Sequence, residues 1–261
     1  MNDPGSLLQI DGLTKDFRGL RAIDDHSLRI GPEEILGVIG PNGAGKTTLF
    51  NLITGLVSPT RGTIRFRGRD ITRLRPDAIT RLGIARTFQN IRLFGAMSAR
   101  DNVRVAQQLH APGDPFSVLL SAPPFLRRER ELADAAVELL RTFGLERYAD
   151  RPAASLPYGD QRRLEIARAL ATRPRLLLLD EPTVGMNPRE SQTLLELITQ
   201  VHERYRLSIM LVAHDLRLVM GLCQRIQVLT NGRLIAEGSP VEIRNHSDVI
   251  EAYLGRTPAG A

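Results

Sequence analysis

The chain has 261 residues, long enough for a substantial buried core, and a net charge of +6 from 35 basic and 29 acidic side chains. Its one cysteine, Cys223, excludes an internal disulfide and fits a reducing compartment, with packing as its expected role. No apolar run approaches the roughly 18 residues of a membrane-spanning helix, and MNDPGSLLQIDG carries no basic segment leading into an apolar one, so no secretory signal is expected. The basic residues, nearly all arginine, are interleaved with acids, as in RRERE at 127–131. A soluble, cytoplasmic protein with a solvated charged surface is expected, and nucleic acid is not an expected partner.

In chain order, LLQIDGLTKDF and RAIDDHSLRI read as two alternating strands around a turn. A buried strand at Ile35 to Ile39 leads through a glycine-rich loop into a helix over Lys46 to Leu56, and GTIRFRG supplies another strand pair. Between Phe94 and Ser155 the pattern turns helical, with stretches at Ser98 to Leu109 and Arg127 to Phe143 joined by the connector HAPGDPFSVLLSAPP. Then follow a helix over Gly159 to Ala171, a strand at Leu176 to Leu179, a helix from Pro188 to Glu203 and a strand at Ser208 to Val212. Asn231-Gly232 between apolar runs marks a hairpin near the end.

This alternation predicts an α/β fold with a mainly parallel sheet, antiparallel strands flanking it, and an inserted helical subdomain. The expected division is a single domain over 1–254, with a core from 1–93 and 156–254, a helical subdomain at 94–155 and a disordered tail at 255–261.

The segment GPNGAGKTT, Gly40 to Thr48, satisfies G-x-x-x-x-G-K-[ST] between a strand and a helix, the context of a phosphate-binding P-loop. In Gly40, Pro41, Asn42, Gly43, Ala44, Gly45, Lys46, Thr47 and Thr48, the glycines let backbone amides converge on phosphate, and the helix start adds its dipole. Lys46 reaches the β- and γ-phosphates, and the Thr47 hydroxyl suits Mg²⁺. Asp180 ends the apolar run LLLL, where it can hold Mg²⁺ beside Thr47. Glu181, next along, is placed to orient or deprotonate an attacking water.

Taken together, GPNGAGKT, RTFQN, LPYGDQRR, LLLLDEP, GMNP and LVAHD occur in the order of an ABC-type ATPase, and the chain resembles that family over nearly its whole length. The nearest likeness is to ATPase subunits of branched-chain amino acid uptake systems, carried by FRGLRAIDD, RTFQNIRLF, YGDQRRLEIARAL and DVIEAYLG. The resemblance implies ATP and Mg²⁺ as cofactors, Gln89 as a Mg²⁺ ligand and nucleotide sensor, and His214 as a contact of the γ-phosphate. It implies that Phe17 stacks on adenine, although the core is the other place for a strand aromatic. It also implies a second ABC ATPase subunit, two membrane-spanning permease subunits and, indirectly, a solute-binding protein, with this chain peripheral on the inner face of the cell membrane. In such a dimer Pro157, Tyr158, Gly159, Asp160 and Gln161 face the nucleotide held by the other subunit.

Four positions depart from the pattern, one of them Tyr158, which takes the place of the first glycine of the family's signature. Ala213 precedes His214 where an acid is expected, Asn187 stands in GMNP where many relatives carry Asp, and Pro157 replaces a serine whose hydroxyl would meet phosphate. Losing one preorganised donor costs roughly 2.7 to 4 kcal/mol in a transition state, or about 10² to 10³ in rate. The amides of Tyr158 and Gly159 at a helix start remain, so a working site is expected. The alternatives are a soluble ABC ATPase acting on nucleic acid or the ribosome, and a weakly hydrolytic regulatory subunit.

Overall fold

Apolar side chains occupy both faces of the central strands, so this sheet must be covered on each side. A computed structural model describes residues 5–110, 123–213 and 216–254. Its strands are β1 (Leu8–Phe17), β2 (Leu20–Ile30), β3 (Ile35–Ile39), β4 (Arg61–Phe66), β5 (Arg69–Asp70), β6 (Ile84–Arg86), β7 (Leu176–Asp180), β8 (Ser208–Val212), β9 (Arg225–Thr230) and β10 (Arg233–Gly238). Its helices are α1 (Lys46–Ile53), α2 (Pro76–Leu82), α3 (Ala99–Gln107), α4 (Pro123–Thr142), α5 (Tyr158–Ala171), α6 (Pro188–Tyr205), α7 (Leu216–Leu222), α8 (Pro240–Arg244) and α9 (Ser247–Leu254).

The larger sheet has the order β10-β9-β3-β8-β7-β6. All its neighbours are parallel except β10, which returns antiparallel to β9 through Asn231 and Gly232, at φ 48° and 79°. That is the hairpin expected from the Asn-Gly pair. The smaller sheet, β2-β1-β4-β5, is wholly antiparallel.

Alternate residues of the parallel strands enter separate cores. Leu36, Val38, Leu176, Leu178, Met210 and Val212 pack with Phe50 of α1 and Ile10 of β1 on one side. Ile35, Ile39, Leu177, Leu179, Ile209 and Leu211 pack on the other with Leu164 of α5 and Leu194 of α6. Each strand interior therefore reads as continuous apolar sequence, because both faces of its pleat are buried. Cys223 is one of these packing residues; burial pushes its thiol up to about 12.

Four features differ from expectation. The first helix stops at Ile53, because Thr54 and Gly55 turn the chain and Leu56 donates back to Asn51. β6 was not marked, being three residues long and too short for any periodicity. The second helix of the inserted segment begins at Pro123, ahead of Arg127, as proline in a first turn allows. The short helices α2, α8 and α9 carry no strong sequence period. Most of the 110–124 connector and the tail from Gly255 lie outside the described residues.

A buried histidine sits where the two sheets meet. His26 of β2 is 1% exposed, and neither ring nitrogen has a hydrogen-bond partner. Burial pulls its pKa from 6.5 down to about 4, against a smaller upward pull from Glu237. Above pH 6.5 the ring is neutral whether folded or unfolded; below it, only the unfolded chain takes up the proton, so stability falls as pH drops toward 4. Denaturant unfolding at pH 7 and pH 4.5 should therefore show His26→Leu losing about 2 kcal/mol less than wild type over this interval. Equal losses in the two proteins would contradict this.

Candidate active site

The P-loop is built where β3 ends and α1 begins. Gly45 caps α1 at φ 103°, and a Cβ there would lie 2.6 Å from the Ala22 carbonyl and 2.8 Å from Ile23, so only glycine fits. Lys46 is 6% exposed and folds back over the loop, donating to the carbonyls of Gly40 at 2.7 Å and Pro41 at 2.9 Å. Burial lowers its pKa, while Glu181 and Asp180 raise it. A lysine anchored on the loop carbonyls where a glycine-rich turn opens a helix is an anion-binding arrangement.

Asn42 through Thr48 line one wall of a cleft of about 450 Å³. Phe17 stands at its rim, 42% exposed, with the Lys15 ammonium 4.8 Å from its ring. It is therefore not a core residue, and its ring is available for stacking. Gln89 and Glu181 complete the opposite side.

The carboxylates leave the end of β7. Asp180 is buried and ion-paired with Arg86, Nη2 to Oδ2 at 2.7 Å; Arg86 also donates to Asn51 at 2.6 Å and lies between the rings of Phe50 and Phe88. Glu181 takes a left-handed backbone, φ 47°, which is costly for a residue with a Cβ. Its amide is fixed by the Val212 carbonyl at 2.8 Å, and its Oε2 accepts from the Gln89 amide at 3.1 Å. The structure thus brings Lys46, Thr47, Gln89, Asp180 and Glu181 to one place.

Metal fit follows from donor type. Among the described residues no cluster of three His, Cys, Asp or Glu side chains is present that would hold an ion by itself. Thr47, Gln89 and Asp180 instead offer a few hard oxygens beside a phosphate cradle, the set Mg²⁺ uses when phosphates and water supply the rest. Arg86 already engages one side of the Asp180 carboxylate.

The segment 157–161 lies elsewhere. Pro157 caps α5 with no side-chain hydrogen bond, and Tyr158 and Pro157 are exposed. Asp160 is buried and ion-paired with Arg163, and Gln161 donates to the Leu156 carbonyl at 2.8 Å. Pro157, Gly159 and Asp160 line a separate groove of about 280 Å³ with Met186 and Asn187, and none of the five residues lines the P-loop cleft. Asn187 caps α6 by accepting from the Glu190 amide at 2.9 Å, a role Asp would fill equally. His214 lies outside the described residues.

Sequence reading missed several participants. Leu20, Arg21, Ala22 and Asn231 also line the cleft. Asn231 is there because Gly232 bridges Ala44 and Asp24 through backbone hydrogen bonds. Arg86 and Arg162 were also missed. Each lies within a motif already singled out, yet only tertiary packing gives it a partner.

Comparison with known proteins agrees with this geometry. The family model "ABC transporter" matches residues 23–184, and "Branched-chain amino acid ATP-binding cassette transporter" matches residues 233–258. The high-affinity branched-chain amino acid transport ATP-binding protein LivG of Escherichia coli (strain K12) is 47% identical over 249 residues, covering 95% of this chain and 98% of LivG. The crystal structure of the ADP conformation of MJ1267, an ATP-binding cassette of an ABC transporter, superposes with TM-score 0.83 at 28% identity, covering 96% of this chain and 99% of that one. A dimeric post-hydrolysis structure of the ATP-binding cassette MJ0796 bound to ADP and phosphate follows at TM-score 0.77 and 26% identity, covering 89% and 98%. The chain belongs to the ABC transporter family, as an ATP-hydrolysing subunit of its branched-chain amino acid, Liv-type group.

Proposed function

We propose that two such ATPase subunits close around two nucleotides and power import of branched-chain or related amino acids. The observation that carries this reading is the separation of the P-loop cleft from the Pro157–Gly159 surface within one chain. A second subunit must then bring its own helix start to the cleft. The MJ0796 dimer supports the pairing, and the LivG likeness with the match at residues 233–258 supports the solute class.

In the closed site, Phe17 stacks on the base, and the loop amides with Lys46 hold the phosphates. Glu181, kept in place by Gln89, orients the water that attacks the γ-phosphorus and accepts its proton, releasing ADP and phosphate. His214 serves the γ-phosphate, as the ABC ATPase resemblance implies. Thr47, Gln89 and Asp180 would hold a Mg²⁺ ion, which would neutralise charge on the phosphates. The amides of Tyr158 and Gly159 approach the same phosphate from the other subunit with the helix dipole behind them.

No helix among the described residues is long and apolar enough to cross a membrane. The match to the ABC transporter family supports a pathway formed by two separate permease subunits served by a solute-binding protein. The segment 94–155 is the helical subdomain that carries the stroke to them. A groove of about 320 Å³ between α3 and α5, edged by the exposed Phe94 and Val105, is the proposed permease contact. That docking places the subunit on the inner face of the cell membrane.

Two substitutions in the assembled transporter test the site. Glu181→Gln should leave ATP bound and reduce turnover at least about 10²-fold; unchanged hydrolysis would remove Glu181 from its role. Pro157→Ser should change the rate by less than about threefold, because the remaining amides suffice. A rise of about 10² or more would show that the natural proline cripples the site.

A further inference from the structure

The position that holds a glycine in the resembling signature is Tyr158 here, and its side chain is engaged. The phenol donates to the Val184 carbonyl at 2.9 Å, three residues beyond Glu181. The ring also packs on Gly185, which lies at φ 80° and where an added Cβ would sit 3.1 Å from Cε1, so a side chain there would be strained and would press on the ring. Val184 in turn donates to the Glu181 carbonyl at 3.3 Å. The start of α5 is thus tied to the loop that carries the catalytic carboxylate.

A second tie runs from the same ring. The Arg162 guanidinium lies 5.6 Å from the Tyr158 ring and is ion-paired with Glu165 at 3.1 Å, both side chains being 2% exposed. Arg162 donates to the carbonyls of Phe88, at 2.7 Å, and of Gln89, while Glu165 accepts from the Arg92 amide at 3.2 Å. Gln89 then reaches Glu181 through its side chain. Tyr158, Val184, Glu181, Gln89 and Arg162 therefore form a closed ring of contacts joining three separate stretches of chain.

We propose that Tyr158 is a positioning residue that couples the two nucleotide sites of the dimer. This rests on the reading that residues 157–159 meet the nucleotide bound by the other subunit, while Glu181 serves the nucleotide bound by its own. Contact of the helix start with the partner's γ-phosphate then moves Tyr158, and the Val184 bond transmits that movement to Glu181. Each subunit senses through one rigid ring whether the other site is filled.

The test uses the assembled transporter with Tyr158→Phe, which keeps the ring and removes the hydroxyl. The expected result is a kcat lowered about three- to fivefold, a half-saturating ATP concentration within about twofold of wild type, and a Hill coefficient falling from above unity toward unity. A wild-type coefficient of unity, or a coefficient unchanged by the substitution, overturns the proposal, even if kcat falls through loss of stability. Gly159→Asp separates this from the underlying reading, since it sets a carboxylate against the partner's phosphate. If Gly159→Asp abolishes hydrolysis while Tyr158→Phe behaves as wild type, only the coupling role fails. If both variants hydrolyse normally, the shared-site reading fails with it.

Discussion

A buried guanidinium paired with a buried carboxylate holds this site together. Arg162 and Glu165 lie one turn apart on α5, and what they hold is the backbone of Phe88, Gln89 and Arg92. Taking both charges out of water carries a penalty that mutual attraction alone seldom offsets. Here the carbonyls of Phe88 and Gln89 take up both Nη groups of Arg162 and the Arg92 amide meets Glu165, leaving only the Arg162 Nε unpartnered, which makes the pair tolerable and the segment rigid. Burial alone pushes Glu165 toward its neutral form, and the Arg92 amide and the Arg162 charge oppose it.

Gln89 inherits its position from that clamp, and Glu181 inherits part of its own from Gln89. The rest comes from the sheet. A parallel strand buried on both faces places its charges at its ends, and at the carboxyl end a crevice opens between strand and loop. β7 delivers Asp180 to this edge and β3 delivers the P-loop beside it. The left-handed turn at Glu181 then swings the second carboxylate out of the strand direction toward the cleft. The strain is held by the Val212 hydrogen bond on one side and by the Val184 bond on the other.

How much of this could be read in the sequence depended on how local each feature is. The P-loop, the Leu-rich strand before Asp180 and the Asn231-Gly232 hairpin were legible because strand, loop and helix signals are contiguous there. The two-sided burial of β3, β7 and β8 was legible from their unbroken apolar runs. The short strand β6 was not, since three residues carry no period. Arg86 stood in a segment quoted for its glutamine, and nothing local announces that it will ion-pair with Asp180 across 94 positions of sequence. Asn231 was read only as a turn former; that its turn reaches the cleft depends on backbone bonds to Ala44 and Asp24. Asp160 and Gln161 lay in the expected segment, yet their side chains turn to Arg163 and to the Leu156 carbonyl, so the backbone of that segment is what remains to offer a phosphate.

A shared site of this kind requires one chain to supply the P-loop and another the helix start at Pro157. A structure of the assembled transporter bound to ATP tests this directly. The Tyr158 and Gly159 amides of one subunit should lie within hydrogen-bond distance of the γ-phosphate held by Lys46 of the other. A nucleotide seated in the cleft with residues 157–161 of the second subunit turned away from it would contradict the claim.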